Sequence, residues 1–276
     1  MRLFNKVVII GTGLIGGSLA LEIKRKGLAL RISGYSRHKS SLILAKKKHI
    51  IDDGSLDLSV AKDADLVVLA TPVNSILSLA EKIARFVPGD CVVTDVGSTK
   101  KEIVSKLSGI FPNYVGSHPL AGSEKRGIAN TQTGIFKGSL CILTPVKSTR
   151  RKALRTIKAL WNNLGAKTVI LSPDTHDEIL SFVSHLPHAV AFSLIDTVPL
   201  NVLKFAANGF KDTTRIAMSD ERLWADIFLS NRKNMIGSID RFQDKLSAIK
   251  TAIVKKDANK LMGILKKAKN KREALK

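Results

Sequence analysis

A glycine-rich stretch near the start of the chain has the spacing of a dinucleotide-binding turn. It follows a four-residue apolar run that is typical of a buried strand, and it begins a helical pattern. In such a unit the first glycine permits a tight turn, the second lets a pyrophosphate approach the backbone, and the third lets the helix pack on the strand. The unpaired N–H groups at the start of the helix bind phosphate. The residues predicted to bind the cofactor here are Gly11, Gly13, Leu14, Ile15 and Gly16.

The position that selects between the two nicotinamide cofactors carries no carboxylate. A second strand is predicted over 31–35, and Ser36, Arg37, His38 and Lys39 follow it. An Asp or Glu at this point binds the ribose 2′-hydroxyl of NAD, whereas cations accommodate the 2′-phosphate of NADP. We therefore predict NADP as the cofactor, with NAD also possible, and Ser36 and Arg37 as its ligands. The alternative is that these charges are only solvated on a loop.

Further polar residues follow the ends of other predicted strands, which is where parallel α/β sheets bind their ligands. Thr71 and Pro72 follow one strand and are predicted to contact the cofactor, while Ser98 follows the next strand. His118 and Ser123 follow a third. A histidine placed there can act as a general base near neutral pH. The alternative is that His118 is a structural residue that only forms hydrogen bonds with its own loop.

The later part of the chain offers groups that bind anions. Ser184 and His188 are four residues apart, so they share one face of a predicted helix, and His185 lies beside them. Arg215 stands among apolar neighbours and can hold a carboxylate through two parallel hydrogen bonds. A salt bridge to Asp212 is the alternative for this arginine. No metal is predicted, because the histidine pair lacks a cysteine or carboxylate at ligand spacing in this helix.

Strand and helix patterns alternate through the first part of the chain and then stop. The alternation predicts an α/β fold with a doubly wound, Rossmann-type parallel sheet, followed by an all-α C-terminal domain. We predict a dinucleotide-binding domain over 1–172 and a helical substrate-binding and dimerisation domain over 173–276. Pro187 is expected to kink the first helix of the second domain.

A long helix is predicted from Arg222 onward. Its apolar residues recur at gaps of three or four from Phe228 to Ile253, and Asn231 interrupts the stripe. Such a stripe packs on its own domain or on a second subunit. Because it is longer than one small helical domain is expected to cover, we predict a homodimer formed through the helical domain.

Composition limits the partners. The 276 residues include 45 Lys and Arg against 23 Asp and Glu, a net charge of +22. The basic residues are mostly scattered and only 5% of residues are aromatic, so no specific nucleic-acid binding is predicted. Positive charge also steers small anionic substrates and cofactors towards a protein. No apolar run approaches the roughly 20 residues of a membrane span, and two cysteines fit a reducing cytoplasm.

Taken together, the motifs resemble the prephenate dehydrogenase family of tyrosine biosynthesis. They cover nearly the whole chain and read GTGLIGGSLA, ATPV, TDVGSTK, GSHPLAGSEKRG, SHLPHAVAF and GFKDTTRIAMSD. The resemblance implies oxidative decarboxylation of prephenate to 4-hydroxyphenylpyruvate, with a hydride transferred to NAD(P)⁺. It also implies that His118 is the base for the substrate hydroxyl and that Ser98 lies near this hydroxyl and the nicotinamide. The resemblance further implies that Arg215 binds a carboxylate of the substrate. The residues implied to help it are Ser123, Ser184, His185 and His188.

The chain departs from its relatives in two ways. Ser36 and Arg37 replace the acidic residue of NAD-using relatives, which favours NADP over NAD. No strand-rich regulatory domain follows the helices, so feedback through such a domain is not expected.

Three other functions remain open at this point. An arogenate (cyclohexadienyl) dehydrogenase belongs to the same family, although some arogenate-specific relatives lack the histidine found here at His188. A β-hydroxyacid dehydrogenase should place a lysine on the first helix after the sheet, and 174–192 contains none. A nucleic-acid-binding module would explain the charge but not the glycines.

Overall fold

The first part of the chain folds around one eight-stranded sheet. The computed structural model describes residues 2–122 and 127–275. The strands are β1 Phe4–Ile10, β2 Ala29–Tyr35, β3 Asp53–Ser55, β4 Leu66–Leu69, β5 Val92–Asp95, β6 Tyr114–Pro119, β7 Leu140–Thr144 and β8 Lys167–Ile170. Their spatial order is β3-β2-β1-β4-β5-β6-β7-β8. The order therefore reverses between β1 and β4, and the carboxyl ends of these two strands border the crevice in which such sheets bind a ligand.

Helices cover both faces of this sheet. They are α1 Leu14–Arg25, α2 Lys39–Lys47, α3 Val73–Ala84, α4 Lys101–Ile110 and α5 Arg151–Asn163, with short 3-10 turns at Leu58–Ala61 and Ile128–Asn130. The apolar runs of β1 and β4 are wholly buried because the sheet is covered from both sides. Alternate residues of each strand thus enter two different apolar cores, one on each face.

The predicted Rossmann-type sheet is confirmed, with one correction. β7 runs antiparallel to β6 and β8 runs parallel to β7, so the last two strands oppose the first six. The prediction of a wholly parallel sheet was wrong here, because the described residues of the link from β6 to β7 form a short 3-10 turn and no crossover helix of the kind that a parallel pair requires.

From Pro173 onward the chain is helical. The elements are α6 Pro173–Leu180, a π turn Ser181–His185, α7 Leu186–Thr197, a 3-10 helix Leu200–Phe205, α8 Asn208–Thr214, a 3-10 turn Arg215–Met218, α9 Glu221–Ser230, α10 Arg232–Val254 and α11 Ala258–Glu273. The π turn accommodates Pro187 at the start of α7, so the irregularity lies just ahead of the proline. The long helix predicted from Arg222 is divided at Asn231 into α9 and α10.

Much of the apolar surface of the helical part is exposed. The continuous helical segment Pro173–Thr197 is long and apolar enough, by length and composition alone, to cross a membrane, and 22% of its most apolar window is buried. The sequence argument against a spanning segment counted only unbroken apolar runs and therefore did not detect this one. Leu200 and Phe205, just beyond it, are also largely exposed.

Candidate active site

The glycine turn between β1 and α1 leaves room for a ligand against the backbone. Gly11 has a φ of +104°, a conformation that favours glycine. A Cβ on Gly16 would lie 2.1 Å from the carbonyl oxygen of Gly11, whereas one on Gly13 would meet nothing within 4 Å. Leu14 and Ile15 begin α1, so the free amides of its first turn face this space. The turn thus has the shape that a pyrophosphate needs.

Two threonines beside this turn have unsatisfied hydroxyls. Among the described residues, neither Oγ1 of Thr12 nor Oγ1 of Thr71 has a hydrogen-bond partner, although both atoms are buried. Thr71 follows β4 and is followed by the exposed Pro72. Buried hydroxyls of this kind need a partner, and a bound dinucleotide offers several acceptors. The residues present therefore fit a dinucleotide. Thr12, which the sequence motif leaves unspecified, belongs with the predicted set.

Ser36 and Arg37 lie next to the glycine turn. The amide of Gly11 donates to the carbonyl oxygen of Tyr35 at 2.9 Å, which holds the end of β2 against the turn. Ser36 is half-buried and its Oγ accepts from the amide of His38 at 3.2 Å, while Arg37 is exposed. Both side chains are therefore located where the ribose of a bound dinucleotide is expected.

His118 lies on the part of β6 that continues past the end of β5. The strand extends to Pro119, so this histidine is within the strand and faces Ile142 of β7. Its Nδ1 is 2.8 Å from Nε2 of His176, and Nδ1 of His176 is 2.7 Å from Oδ1 of Asp177. We call these three residues the His118–His176–Asp177 triad. Their contact could not be read from the sequence, because His118 comes from the sheet and its two partners come from α6.

Burial controls the protonation of the triad. It lowers the pKa of His118 well below its ordinary value, and the charges of His176, Lys100 and His185 act in the same direction. Burial also lowers the pKa of His176, against the opposing effect of its bond to Asp177. For Asp177 burial acts to raise the pKa, yet hydrogen bonds from His176 and from two backbone amides hold it below its ordinary value. Both histidines are therefore neutral and the carboxylate is charged near neutral pH.

A buried ion pair lies beneath the triad. Nζ of Lys100 is 2.5 Å from Oδ2 of Asp95, and both side chains are fully buried. Oδ2 also accepts from the amide of Gly97 at 2.8 Å, while Oδ1 accepts from the hydroxyl of Tyr114 at 2.7 Å. The pair fixes the segment between β5 and α4, which contains Ser98. Ser98 is half-buried on that segment, which follows the end of β5.

A second cluster joins the π turn to the start of α10. Nδ2 of Asn231 donates to the carbonyl oxygen of Asp177 at 2.7 Å and lies 3.1 Å from Nδ1 of His185. Because an amide nitrogen only donates, Nδ1 of His185 accepts and its Nε2 carries the proton. Within the described residues this buried Nε2 has no partner. His185 therefore retains an unused donor, and burial lowers its pKa to about 4.

His188 extends this cluster towards Arg215. Its ring stacks on Trp224, with the ring centroids 3.4 Å apart, and its Nδ1 donates to the carbonyl oxygen of Ser184 at 2.9 Å. Burial lowers the pKa of His188, the bond to Ser184 opposes this shift, and the positive charge of Arg215 adds to it. Arg215 is exposed rather than enclosed by apolar neighbours, which corrects the sequence interpretation.

The structure brings His118, His185, His188 and Arg215 into two neighbouring clusters. His118 and His185 are close enough for the charge of one to affect the other, and His188 is similarly close to Arg215. Ser123 lies outside the described residues. Sequence reasoning missed His176 as a partner of His118, and it also missed Asp177, Lys100 and Trp224. The only available signal was Asn231, which interrupts an apolar stripe and proves to be buried and hydrogen-bonded.

Comparisons with known proteins agree over almost the whole chain. The family model described as prephenate dehydrogenase, nucleotide-binding domain, matches residues 19–170, and that described as prephenate dehydrogenase, dimerization domain, matches 172–267. The prephenate dehydrogenase of Bacillus subtilis (strain 168) is 37% identical over 98% of this chain and 76% of its own length. The cyclohexadienyl dehydrogenase of Zymomonas mobilis is 33% identical over 100% of this chain and 98% of its own.

A solved structure gives the same assignment. The prephenate dehydrogenase of A. aeolicus, in complex with hydroxyphenyl propionate and NAD⁺, matches with a TM-score of 0.93 and 37% identity over 99% of this chain and 98% of that chain. A nucleotide-binding domain of this kind, with the glycine turn described above, supports a nicotinamide cofactor here. The chain therefore belongs to the prephenate dehydrogenase family of oxidoreductases.

Proposed function

We propose that this chain catalyses the oxidative decarboxylation of prephenate to 4-hydroxyphenylpyruvate. The observation that carries the proposal is a neutral histidine, His118, held by a hydrogen bond beyond the end of β5 in a sheet that also carries a dinucleotide turn. A base and a hydride acceptor are the two groups needed to oxidise a secondary alcohol. The domains proposed for this activity are 1–172 for the dinucleotide and 173–276 for substrate binding and dimerisation.

In the proposed reaction His118 accepts the proton of the ring hydroxyl. The nicotinamide cofactor, when bound, supplies the acceptor for the hydride that leaves the same carbon. The electron pair of the bond to the ring carboxylate moves into the ring, CO₂ departs, and the ring becomes aromatic. The ring oxygen then takes a proton back from His118, which restores the neutral base and gives the phenol of 4-hydroxyphenylpyruvate. Ser98, on the segment fixed by the Lys100–Asp95 pair, is proposed to hydrogen-bond the hydroxyl and keep it directed at His118.

The substrate is a dianion, and its carboxylates need cations or N–H and O–H donors. Arg215 is exposed and next to His188, so it is proposed to hold one carboxylate through paired hydrogen bonds. Nε2 of His185 is a buried donor with no partner among the described residues, and Ser184 lies one residue ahead of it. His188 and Ser123 complete the proposed set, Ser123 on sequence grounds alone.

The preferred cofactor is proposed to be NADP. The support is that Ser36 and Arg37 lie beside the glycine turn where a carboxylate would otherwise repel a 2′-phosphate. The residues proposed to hold the rest of the dinucleotide are Gly11, Gly13, Leu14, Ile15, Gly16, Thr71 and Pro72.

Arogenate is the second candidate substrate. The support is the full-length similarity to a cyclohexadienyl dehydrogenase. Initial rates with prephenate and arogenate, each with NAD⁺ and NADP⁺, discriminate the four combinations. Prephenate with NADP⁺ is expected to give the highest kcat/KM. A higher value with arogenate would replace prephenate as the substrate, and a higher value with NAD⁺ would refute the cofactor assignment.

The role of His118 has its own test. His118→Asn is expected to lower kcat by about 10²–10⁴-fold, the usual cost of losing a general base, with cofactor affinity nearly unchanged. Arg215→Ala, as the contrasting variant, is expected to act mainly through KM, because its carboxylate contact exists before and during the reaction. Near-normal turnover in His118→Asn would mean that another group is the base.

The working form is proposed to be a cytoplasmic homodimer. Most apolar residues of α7 are only partly buried in one chain, Leu200, Val202 and Phe205 are exposed, and the second family model is that of a dimerisation domain. Cys91 and Cys141 are both free and buried thiols, which fits a reducing compartment. Analytical ultracentrifugation at micromolar concentration is expected to give twice the chain mass of 30.0 kDa. A monomer under these conditions would refute the assembly.

A further inference from the structure

The His118–His176–Asp177 triad fixes which nitrogen of each ring carries a proton. The carboxylate of Asp177 accepts hydrogen bonds from the backbone amides of Lys100 at 2.7 Å and Lys101 at 2.9 Å. These bonds keep the carboxylate charged and fix its orientation. A charged carboxylate only accepts, so the contact with Nδ1 of His176 requires a proton on that nitrogen.

The same reasoning extends to His118. With its proton on Nδ1, the neutral His176 presents a lone pair at Nε2, and this atom lies 2.8 Å from Nδ1 of His118. Nδ1 of His118 must therefore carry the proton. The lone pair of His118 is then on Nε2, the opposite side of the ring.

We propose that His176 and Asp177 are positioning residues that hold His118 in the tautomer whose Nε2 can accept the substrate proton. The proposal rests on the proposed function, in which His118 is the base. Asp177 has a second effect, because its negative charge stabilises the imidazolium that forms when His118 takes up the proton. His176 transmits this effect, since it is the ring that contacts both residues.

Other charged groups face the triad and set its background. The ammonium of Lys100 disfavours positive charge on both histidines, the carboxylate of Asp95 favours it on His176, and His185 disfavours it on His118 when protonated. None of these groups forms a hydrogen bond with either histidine in the described part of the chain. They shift the protonation of the rings but do not select the tautomer, which depends on the two ring contacts.

Asp177→Asn is the direct test. An amide nitrogen in place of Oδ1 donates to Nδ1 of His176, which transfers the proton of that ring to Nε2 and forces the proton of His118 onto the catalytic side. An amide nitrogen in place of Oδ2 keeps the contact of the ring but removes the negative charge that stabilises the imidazolium of His118. We expect kcat with prephenate to fall by about 10²–10⁴-fold, as when an orienting carboxylate behind a catalytic histidine is lost. KM and cofactor affinity should change little. The acid limb of the pH–kcat profile should move to lower pH, because a negative charge near His118 is gone.

Asp174→Asn is the matched control. Asp174 is on the same helix, pairs with Lys101 at 2.5 Å and is 69% exposed at its side chain, but it does not contact His176 in the structure. It should retain wild-type kcat and an unmoved acid limb. Loss of activity in this variant equal to that of Asp177→Asn would overturn the proposal, since general damage to α6 would explain both.

Two variants of His176 separate positioning from packing. Asn at this position keeps a donor near Asp177 but does not reach His118, whereas Gln reaches far enough for its oxygen to accept from Nδ1 of His118. We expect His176→Asn to lose kcat to the same extent as Asp177→Asn, and His176→Gln to recover part of it. Because the residues act as a unit, the double variant His176→Asn/Asp177→Asn should be little slower than His176→Asn.

The outcomes distinguish a failure of the positioning role from a failure of the proposed function, in which His118 is the base. Normal turnover in His118→Asn would overturn the assignment of the base, and the triad's role with it. Slow turnover in His118→Asn with wild-type turnover in Asp177→Asn would overturn only the positioning role. A slow Asp177→Asn enzyme with an unmoved acid limb and no recovery in His176→Gln would also overturn it. If Asp177→Asn does not fold, the comparison of the two His176 variants decides.

Discussion

Removing the carboxylate of Asp95 should strongly destabilise the protein. Asp95→Asn leaves the shape of the side chain intact but removes the charge that compensates the fully buried ammonium of Lys100. It also places an NH₂ group where an oxygen accepts two hydrogen bonds. That group would face either Lys100 and the amide of Gly97, or the hydroxyl of Tyr114 and the amide of Ser117.

The magnitude follows from this environment. Breaking a buried pair by removing one partner costs about 3–5 kcal/mol, because the remaining charge stays buried without compensation. Whole proteins are stable by only about 5–15 kcal/mol, so the loss is a large share of the total. Adding Lys100→Met removes the stranded charge and retains an apolar side chain of similar length. The double variant should therefore be more stable than Asp95→Asn alone, by roughly 2 kcal/mol or more.

Urea unfolding at one fixed protein concentration measures both effects. The midpoint should fall sharply in Asp95→Asn and recover partly in Asp95→Asn/Lys100→Met, without a change in slope. Asp90→Asn, which alters an exposed carboxylate just before β5, is the control and should leave the midpoint within experimental error. A double variant no more stable than Asp95→Asn would show that the uncompensated charge is not the source of the loss.

Two further predictions concern the cofactor and pH. Ser36→Asp/Arg37→Ala should reverse the proposed preference for NADP⁺, and a wild-type preference of about tenfold for NAD⁺, or about 1.4 kcal/mol, would refute the role of this loop. Stability should decline as pH falls below about 6.5, because the pKa values of the buried His176 and His185 lie below that ordinary value and the unfolded chain takes up protons first. His185, whose folded-state pKa is about 4, by itself contributes a slope of up to about 1.4 kcal/mol per pH unit between about pH 6 and 5, measured by urea midpoints, and His185→Gln should remove that contribution. A flat profile over that range would mean that these histidines are not neutral in the folded state.

The parts of the site that were predictable are those encoded by neighbouring residues. The glycine turn needs a strand before it, a helix after it and three glycines between, all within a short stretch. The position of His118 near a strand end was predictable for the same reason. The orientation of β7 was not, because the direction of an edge strand depends on the link before it, and 120–139 contains few periodic apolar residues from which to read that link.

The contact between His118 and His176 could not be predicted from the sequence, for a different physical reason. His118 and His176 are 58 residues apart, and each has an ordinary local sequence. Periodicity shows which face of an element is apolar, but it does not show which polar residues of two elements meet. Asn231 was the exception, because a polar residue at an apolar position of a stripe must find partners when it is buried.

The contacts of the His118–His176–Asp177 triad also join the two parts of the chain. Lys100 precedes α4 and provides no side-chain hydrogen bond to cap it, so the amides of Lys100 and Lys101 need an acceptor from elsewhere. Asp177 supplies it from 77 and 76 residues away, and the same carboxylate accepts from His176. The start of α4 cannot separate from α6 without freeing Asp177, and with it the ring that sets the tautomer of His118. The proposed base is therefore held in its proposed tautomer only while the helical part is docked on the sheet, which couples the geometry of His118 to the packing of the whole chain.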